Sequence, residues 1–232
     1  MIYRSIIFDL DGTLIDSAEL TGQIIDEMLA ERGAEKAADR NLIKAMDAVG
    51  GIPMIEAVMA GFTADPAADL EEFRARHRSI PTPPTLAFPG VRDTLGMLRD
   101  IGVSMAICSN KPQFLCEKIL GDLGLDIHFD AVLGSMPQRP RKPDPVIANL
   151  ALNALGANHR ETLFCGDSIV DADTAKAAGL EICLVKWGYG TPHALGMDPD
   201  LPLVIKMADL IDLVHGRTGL NPLPAITDPR GQ

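Results

Sequence analysis

Apolar positions along this chain follow two rhythms that alternate. Short continuous apolar runs occur at Ile6–Phe8, Val103–Cys108, Ala131–Leu133, Thr162–Cys165, Glu181–Val185 and Leu203–Ile205, and they predict buried strands. Between them, apolar residues recur three and four apart. Val91, Leu95, Leu98 and Ile101 mark one amphipathic helix, and the stretches 143–155 and 169–178 mark two more. Strands alternating with helices predict an α/β fold, a doubly wound, Rossmann-like parallel sheet.

One connection is too long for that scheme. About a hundred residues separate Asp9, at the end of the first run, from Ser109, at the end of the second. A single crossover helix does not need so many, so residues 16–85 are predicted to be an inserted helical unit. Leu20, Ile24, Ile25, Met28 and Leu29 carry its first helix. Ile43, Met46 and Val49, then Ile55, Val58 and Met59, continue the pattern, and Leu70, Phe73 and Ile80 mark an arginine-rich last helix. Pro81-Thr82-Pro83-Pro84 is a stiff link back. The expected organisation is a core of residues 1–15 and 86–215, an insert of 16–85, and a loosely ordered tail over 216–232, rich in proline and glycine. No internal repeat is evident.

The first apolar run ends in Asp9-Leu10-Asp11-Gly12-Thr13. Residues i and i+2 of a strand point the same way, so Asp9 and Asp11 are expected to converge at the carboxyl end of the sheet, where open α/β sheets bind ligands. Two carboxylates that close raise each other's pKa unless something compensates. A hard divalent cation such as Mg2+ does so. Gly12 allows an abrupt exit from the strand. Three further segments place polar groups just after a strand or just before a helix: Ser109-Asn110-Lys111-Pro112, Arg141-Lys142-Pro143-Asp144-Pro145, and Gly166-Asp167-Ser168-Ile169-Val170-Asp171. A parallel sheet gathers such positions at one edge. A hydroxyl, an amide, a lysine and a second acidic pair around the first pair are the groups that phosphoryl transfer uses.

Taken in order, DLDGT, SN, KP and GDSIVD resemble the four motifs of the haloacid-dehalogenase-like superfamily of phosphatases, over nearly the whole chain from Ile6 to about Tyr189. DLDGTLIDS, FPGV at Phe88 to Val91, SNKP, and GDSIVDADTAKAAG followed by WGYG are most similar to the phosphoglycolate phosphatase subgroup. The resemblance implies that Asp9 is a nucleophile forming an aspartyl-phosphate, and that Asp11 is the acid for the leaving oxygen and then the base for water. It implies Mg2+ on the Asp9 and Asp167 carboxylates and the Asp11 carbonyl. Asp171 is expected on the metal through water or as an orienting group. Ser109 and Lys142 would bind the phosphoryl group, with Asn110 assisting. The insert corresponds to the family's small helical cap, which closes over the site and meets the rest of the substrate. Within it Gly50, Gly51 and Lys44 are candidate substrate contacts. Arg40, Arg74, Arg76 and His77 are further candidates to meet a substrate carboxylate, against the plain reading of a solvated helix face. Trp187, His193, Asp173 and Lys176 read as packing and surface residues.

Composition narrows the remaining choices. A formal charge of −11 argues against nonspecific nucleic-acid binding. The four cysteines (108, 116, 165 and 183) form no CxxC pair, and those in strand-like runs read as small buried hydrophobes. No apolar run is long enough to span a membrane and no signal peptide is read, so the expected location is cytoplasmic, as a monomer or homodimer acting on a small phosphorylated metabolite. A phosphotransferase like the β-phosphoglucomutases shares these motifs, and nucleotide or sugar phosphates are compatible substrates. Asp11 argues against the dehalogenase and phosphonatase branches. The intact set of Asp9, Asp11, Lys142 and Asp167 argues against a non-enzymatic scaffold.

Overall fold

The computed structural model describes residues 1–217. In chain order its elements are β1 (Ser5–Phe8), four helices α1 (Ser17–Glu31), α2 (Arg40–Met46), α3 (Gly51–Val58) and α4 (Pro66–Ser79), then α5 (Val91–Asp100), β2 (Ser104–Pro112), α6 (Gln113–Leu123), β3 (Ala131–Ser135), α7 (Pro145–Leu155), β4 (Thr162–Gly166), α8 (Ile169–Ala177), β5 (Glu181–Val185), α9 (Thr191–Met197), β6 (Leu203–Val204) and α10 (Asp209–His215). The six strands form one parallel sheet in the order β3-β2-β1-β4-β5-β6. β1 lies centrally, pairing Ser5 with Ser104 of β2 on one side and Thr162 of β4 on the other. Strand order reverses between β1 and β4. The crevice at the carboxyl ends of these two strands is therefore the place where this topology binds ligands.

The pleat divides the core in two. Ile6 and Phe8 of β1 pack with Leu95 and Leu98 of α5, Ile119 of α6 and Leu213 of α10. Ile7 faces the opposite layer, with Ile147 and Ala151 of α7 and Ala175 of α8. Both faces of β1 are thus apolar, as a strand buried on two sides requires. Full burial of one such side chain contributes roughly 1.5–3 kcal/mol. The helices α1 to α4 bury a third cluster, including Leu20, Ile24, Ile43, Ile55 and Phe73. Arg32 and Arg76 tie α4 to α1 through Asp69, Glu72 and Glu31.

Several boundaries shift for local reasons. The helix expected from Pro143 starts at Pro145, because Asp144 is its N-cap and accepts from the Val146 N–H at 2.9 Å. β6 stops before Ile205, whose N–H, like that of Lys206, turns to the Asp209 carboxylate. Val49 is half exposed in the turn between α2 and α3 rather than part of the apolar face. β2 runs on through Ser109-Asn110-Lys111-Pro112, with a shift of register between Cys108 and Pro112. α6, α9 and α10 are additional to the helices read from the sequence. The expectation of a loosely ordered tail concerns residues that lie, from 218 on, outside the described ones. All four cysteines are buried and unpaired. Among the described residues no helix is long and apolar enough to cross a membrane.

Candidate active site

β1 ends at Phe8, so Asp9 and Asp11 stand just beyond the strand rather than on its pleat. This corrects the expected origin of their convergence: the loop, not strand alternation, brings them together. The Asp9 N–H donates to the Cys165 carbonyl at 2.9 Å, which extends the parallel ladder by one residue and fixes Asp9 beside the end of β4. Leu14 and Ile15 then fold back on the Leu10 carbonyl at 2.9 and 3.1 Å. Gly12 makes that turn at φ +74, and a Cβ there would lie 2.6 Å from Asp167 Oδ2. Glycine answers both demands. Asp167, from the end of β4, has its Oδ2 held by the Gly190 N–H at 2.9 Å.

Lys142 enters from the loop before α7. Its Nζ lies 2.8 Å from Asp9 Oδ1 and 2.6 Å from Asp171 Oδ1, with only 3% of the side chain exposed. Burial works against its charge, but Asp171 and Asp9 outweigh burial and hold the ammonium above its ordinary value. Asp171 is fully buried at the third position of α8. Its Oδ2 accepts from the N–H groups of Asp167 (3.1 Å) and Ser168 (3.0 Å) and from Ser168 Oγ (2.7 Å), and the Asp171 N–H donates back to Ser168 Oγ in a capping box. Both Asp171 oxygens therefore have protein donors. A carboxyl so held can orient Lys142, and it also stands in the acidic cluster with Asp9 and Asp167.

Asp9, Asp167 and Asp171 bring carboxylate oxygens within 4.8 Å of one another. Burial pushes the Asp9 carboxyl up to about 7; Lys142 opposes this, while Asp171 and Asp11 add to it. Burial, with Asp171 and Asp9 adding, also holds Asp167 well above the usual carboxylate range. Three buried carboxylates face one ammonium, and Asp9 Oδ1 has no aligned hydrogen-bond donor despite its ion-pair contact. An all-oxygen donor set short of positive charge fits a hard divalent cation. Asp11 stands outside this trio. Its Oδ1 accepts from Lys111 Nζ at 3.0 Å.

Above these groups lies a cavity of about 520 Å³, with Asp9, Asp11, Ser109, Lys111, Lys142 and Asp167 at its base and Lys44, Asp47, Gly50, Gly51, Phe73 and Arg74 from the helical insert opposite. Ser109 is buried, and its Oγ accepts from the Lys111 N–H at 3.2 Å. Tyr189 joins the two halves: its hydroxyl donates to Asp16 and accepts from the Ala18 N–H at 3.1 Å, at the start of α1. Trp187 packs on Phe88 and donates to the Thr13 carbonyl at 3.1 Å.

Residues 6–185 match the family model described as haloacid dehalogenase-like hydrolase. The chain belongs to this family. A phosphoglycolate phosphatase from Cereibacter sphaeroides is 37% identical over 191 residues, covering 79% of this chain and 85% of the relative. One from Aquifex aeolicus is 34% identical over 212 residues, covering 91% and 96%. A crystal structure of a predicted phosphoglycolate phosphatase from Haemophilus somnus 129PT superposes with a TM-score of 0.78 at 23% identity, covering 92% of this chain and 98% of that one, which shows the shared fold.

Within this hydrolase fold the sequence candidates separate. Asp9, Asp11, Ser109, Lys142 and Asp167 meet at the cavity base, and Gly50, Gly51, Lys44 and Arg74 line its other wall. Gly50 and Gly51 take φ of +57 and +59 at the start of α3. Asn110 also lines the cavity, and its side-chain amide is engaged by both backbone groups of Lys142. Arg40 and Arg76 are bound to carboxylates of the insert itself. His77 is fully buried without a hydrogen-bond partner, edge-on to Phe73. His193, read as packing, is exposed at the cavity margin. Two residues carry no sequence expectation. Lys111 lies two residues beyond Ser109, where the sequence offers no partner for it until the Asp9–Asp11 loop is folded beside it. Asp47, in the turn after α2, has a carboxyl that burial holds well above its ordinary range, with Asp11 adding and Lys111 opposing. An acid one helical turn from Lys44 reads as an ordinary surface residue until the insert is folded over the core.

Proposed function

We propose that this hydrolase is a Mg2+-dependent phosphatase of small phosphomonoesters, with 2-phosphoglycolate the leading substrate, working through a phosphorylated Asp9. The observation that carries the reading is the convergence of Asp9, Asp167, Asp171 and Lys142 at the base of one cavity, with Asp11 beside them and paired with Lys111. The names of the curated relatives support the substrate class. Lys44, in the cavity wall, supplies positive charge for a substrate carboxylate; Arg74 lines the same wall but is paired with Glu71 at 2.6 Å.

In the proposed reaction an Asp9 carboxylate oxygen attacks phosphorus, the new O–P bond forms, and the bond to the leaving oxygen breaks. Asp11 gives its proton to that oxygen, so the product alcohol departs neutral. Asp11 then takes a proton from water as the water oxygen attacks the same phosphorus, releasing inorganic phosphate and the Asp9 carboxylate. Lys142 and Ser109 hold the phosphoryl oxygens, and Asp171 holds Lys142. The Asp9 and Asp167 carboxylates and the Asp11 carbonyl would bind Mg2+, which supplies positive charge against the anionic phosphoryl group and nucleophile. The insert over 16–85 acts as a closing cap that excludes bulk water.

The test is phosphate release from a panel of small phosphomonoesters, with Mg2+ or EDTA, by wild type and Asp9→Asn. The reading requires release that needs the metal and disappears in the variant. Phosphate migrating within a sugar phosphate without free release would replace it with a mutase.

A further inference from the structure

Lys111 has no task in the chemistry just set out, yet it is built into the site. Its side chain is 11% exposed and that of Asp11 8%, with Nζ and Oδ1 3.0 Å apart. Its backbone is pinned as well: the N–H donates to Ser109 Oγ at 3.2 Å, and the carbonyl accepts from Cys116 Sγ at 3.6 Å. Burying a lysine is costly unless a partner compensates, and the Asp9 and Asp171 carboxylates are already served by Lys142. The atom Lys111 occupies is informative. An ammonium offers only donors, so an Asp11 oxygen that receives one is not the oxygen that carries a proton. With Oδ1 taken, Oδ2 is the oxygen left to hold and hand over the proton.

We propose that Lys111 is a positioning residue for Asp11: by occupying Oδ1 it fixes the carboxyl plane and leaves Oδ2 as the atom that exchanges a proton with the leaving oxygen. This rests on the reading of Asp11 as the acid of the reaction. The rival explanations are a direct contact between Lys111 and the phosphate, and a purely structural role in which Lys111 separates Asp11 from the cap's Asp47.

Leaving-group dependence distinguishes them. An alkyl phosphate expels a strongly basic alkoxide and needs the proton; p-nitrophenyl phosphate expels a weakly basic phenolate and does not. The experiment compares kcat/KM for 2-phosphoglycolate and other alkyl phosphates with that for p-nitrophenyl phosphate, in the full chain with Mg2+. Lys111→Met is expected to lose on the order of 100-fold on the alkyl esters, the cost of about 1 Å of misplacement, and at least tenfold less than that on the aryl ester. Lys111→Arg, which keeps the charge and the donors, is expected to recover most of the alkyl activity. An equal loss on both ester classes, or none, overturns the proposal; equal loss is what a phosphate contact or a structural role predicts. Asp11→Asn on the same panel is the control. If it shows no preferential loss on alkyl esters, the acid role of Asp11 has failed. If it does and Lys111→Met does not, Lys111 alone has been misassigned. Should Lys111→Met not fold, as judged by its thermal transition, Lys111→Gln is read by the same ratio.

Discussion

Asn110 and Lys142 are joined by a pair of reciprocal hydrogen bonds. Asn110 Nδ2 donates to the Lys142 carbonyl at 3.1 Å, and the Lys142 N–H donates back to Asn110 Oδ1 at 2.9 Å. The amide of β2 thus clamps the backbone of the residue whose ammonium lies between Asp9 and Asp171. Asn110→Ala is expected to reduce kcat by roughly 10- to 100-fold, the usual range for groups that orient a site from behind. Its effect on the thermal transition should be small, because each neutral hydrogen bond contributes about 1 kcal/mol. A variant with full kcat would mean that the loop before α7 holds Lys142 without the clamp.

Asp171 is the opposite case, in which stability and activity fall together. It receives Lys142, two backbone N–H groups and the Ser168 hydroxyl with no exposed surface. Asp171→Ala leaves a buried ammonium short of a partner and opens the first turn of α8. The expected loss is about 3–5 kcal/mol in a denaturant titration, with activity abolished. A loss below about 1 kcal/mol would show that Asp9 alone compensates Lys142.

How far these relationships can be read from sequence depends on their range. The order of strands and helices is legible because apolar period reports burial on one or two faces, and the crevice follows from the topology. The roles within a motif are less legible. Asn110 and Lys111 are adjacent in sequence, yet one clamps the Lys142 backbone and the other holds the Asp11 carboxyl. Which way each side chain points depends on the register shift in β2 between Cys108 and Pro112, which no periodicity encodes. Asp47 is harder still, since its environment is created by another part of the chain. The cationic candidates of the insert are equivalent by composition, but Arg40 and Arg76 find carboxylates on α1 and α4, Arg74 pairs with Glu71 of its own helix at 2.6 Å while lining the cavity, and Lys44 lines the cavity from α2.

The charge imbalance at the base of the cavity predicts a pH dependence of stability. The ordinary value for Asp9 is 3.8, and burial raises it to about 7 in the fold. Between these values the unfolded chain has released a proton that the folded chain keeps. The Asp9 contribution is therefore fully present below about pH 4 and lost as pH rises through 7, at up to about 1.4 kcal/mol per pH unit. His77 acts in the other direction. Burial lowers its pKa from 6.5 to about 3, so its contribution is lost as pH falls through that window. The Asp9 part is isolated by comparing wild type with Asp9→Asn in EDTA at pH 5 and pH 8. Wild type should lose stability relative to the variant at the higher pH. On the proposed reading Mg2+ binds the ionised carboxylates, so it should raise the wild-type Tm more at pH 8 than at pH 5. Equal Mg2+ effects at the two values would argue against a carboxylate metal site at Asp9.

Gly188 provides a way to disturb Asp167 without touching its chemistry. A Cβ built on Gly188 would lie 2.1 Å from the Asp167 Cβ and 2.8 Å from Thr191 Oγ1. Neither is the far end of a flexible side chain, so the loop after β5 or the Asp167 backbone must move. Gly188→Ala is expected to destabilise by roughly 1–3 kcal/mol, as overpacked sites do. It should also shift Asp167 away from Asp9, so that the Mg2+ concentration needed for half-maximal activity rises about 10- to 100-fold while activity at saturating metal partly survives. Gly196→Ala serves as the control. It lies in α9, with nothing within 4 Å of its added methyl, and a helical alanine costs less than a glycine. That variant should keep the wild-type metal requirement and a Tm at or above wild type. If Gly188→Ala loses stability with an unchanged Mg2+ requirement, the contact with Asp167 serves packing alone and the metal is held elsewhere.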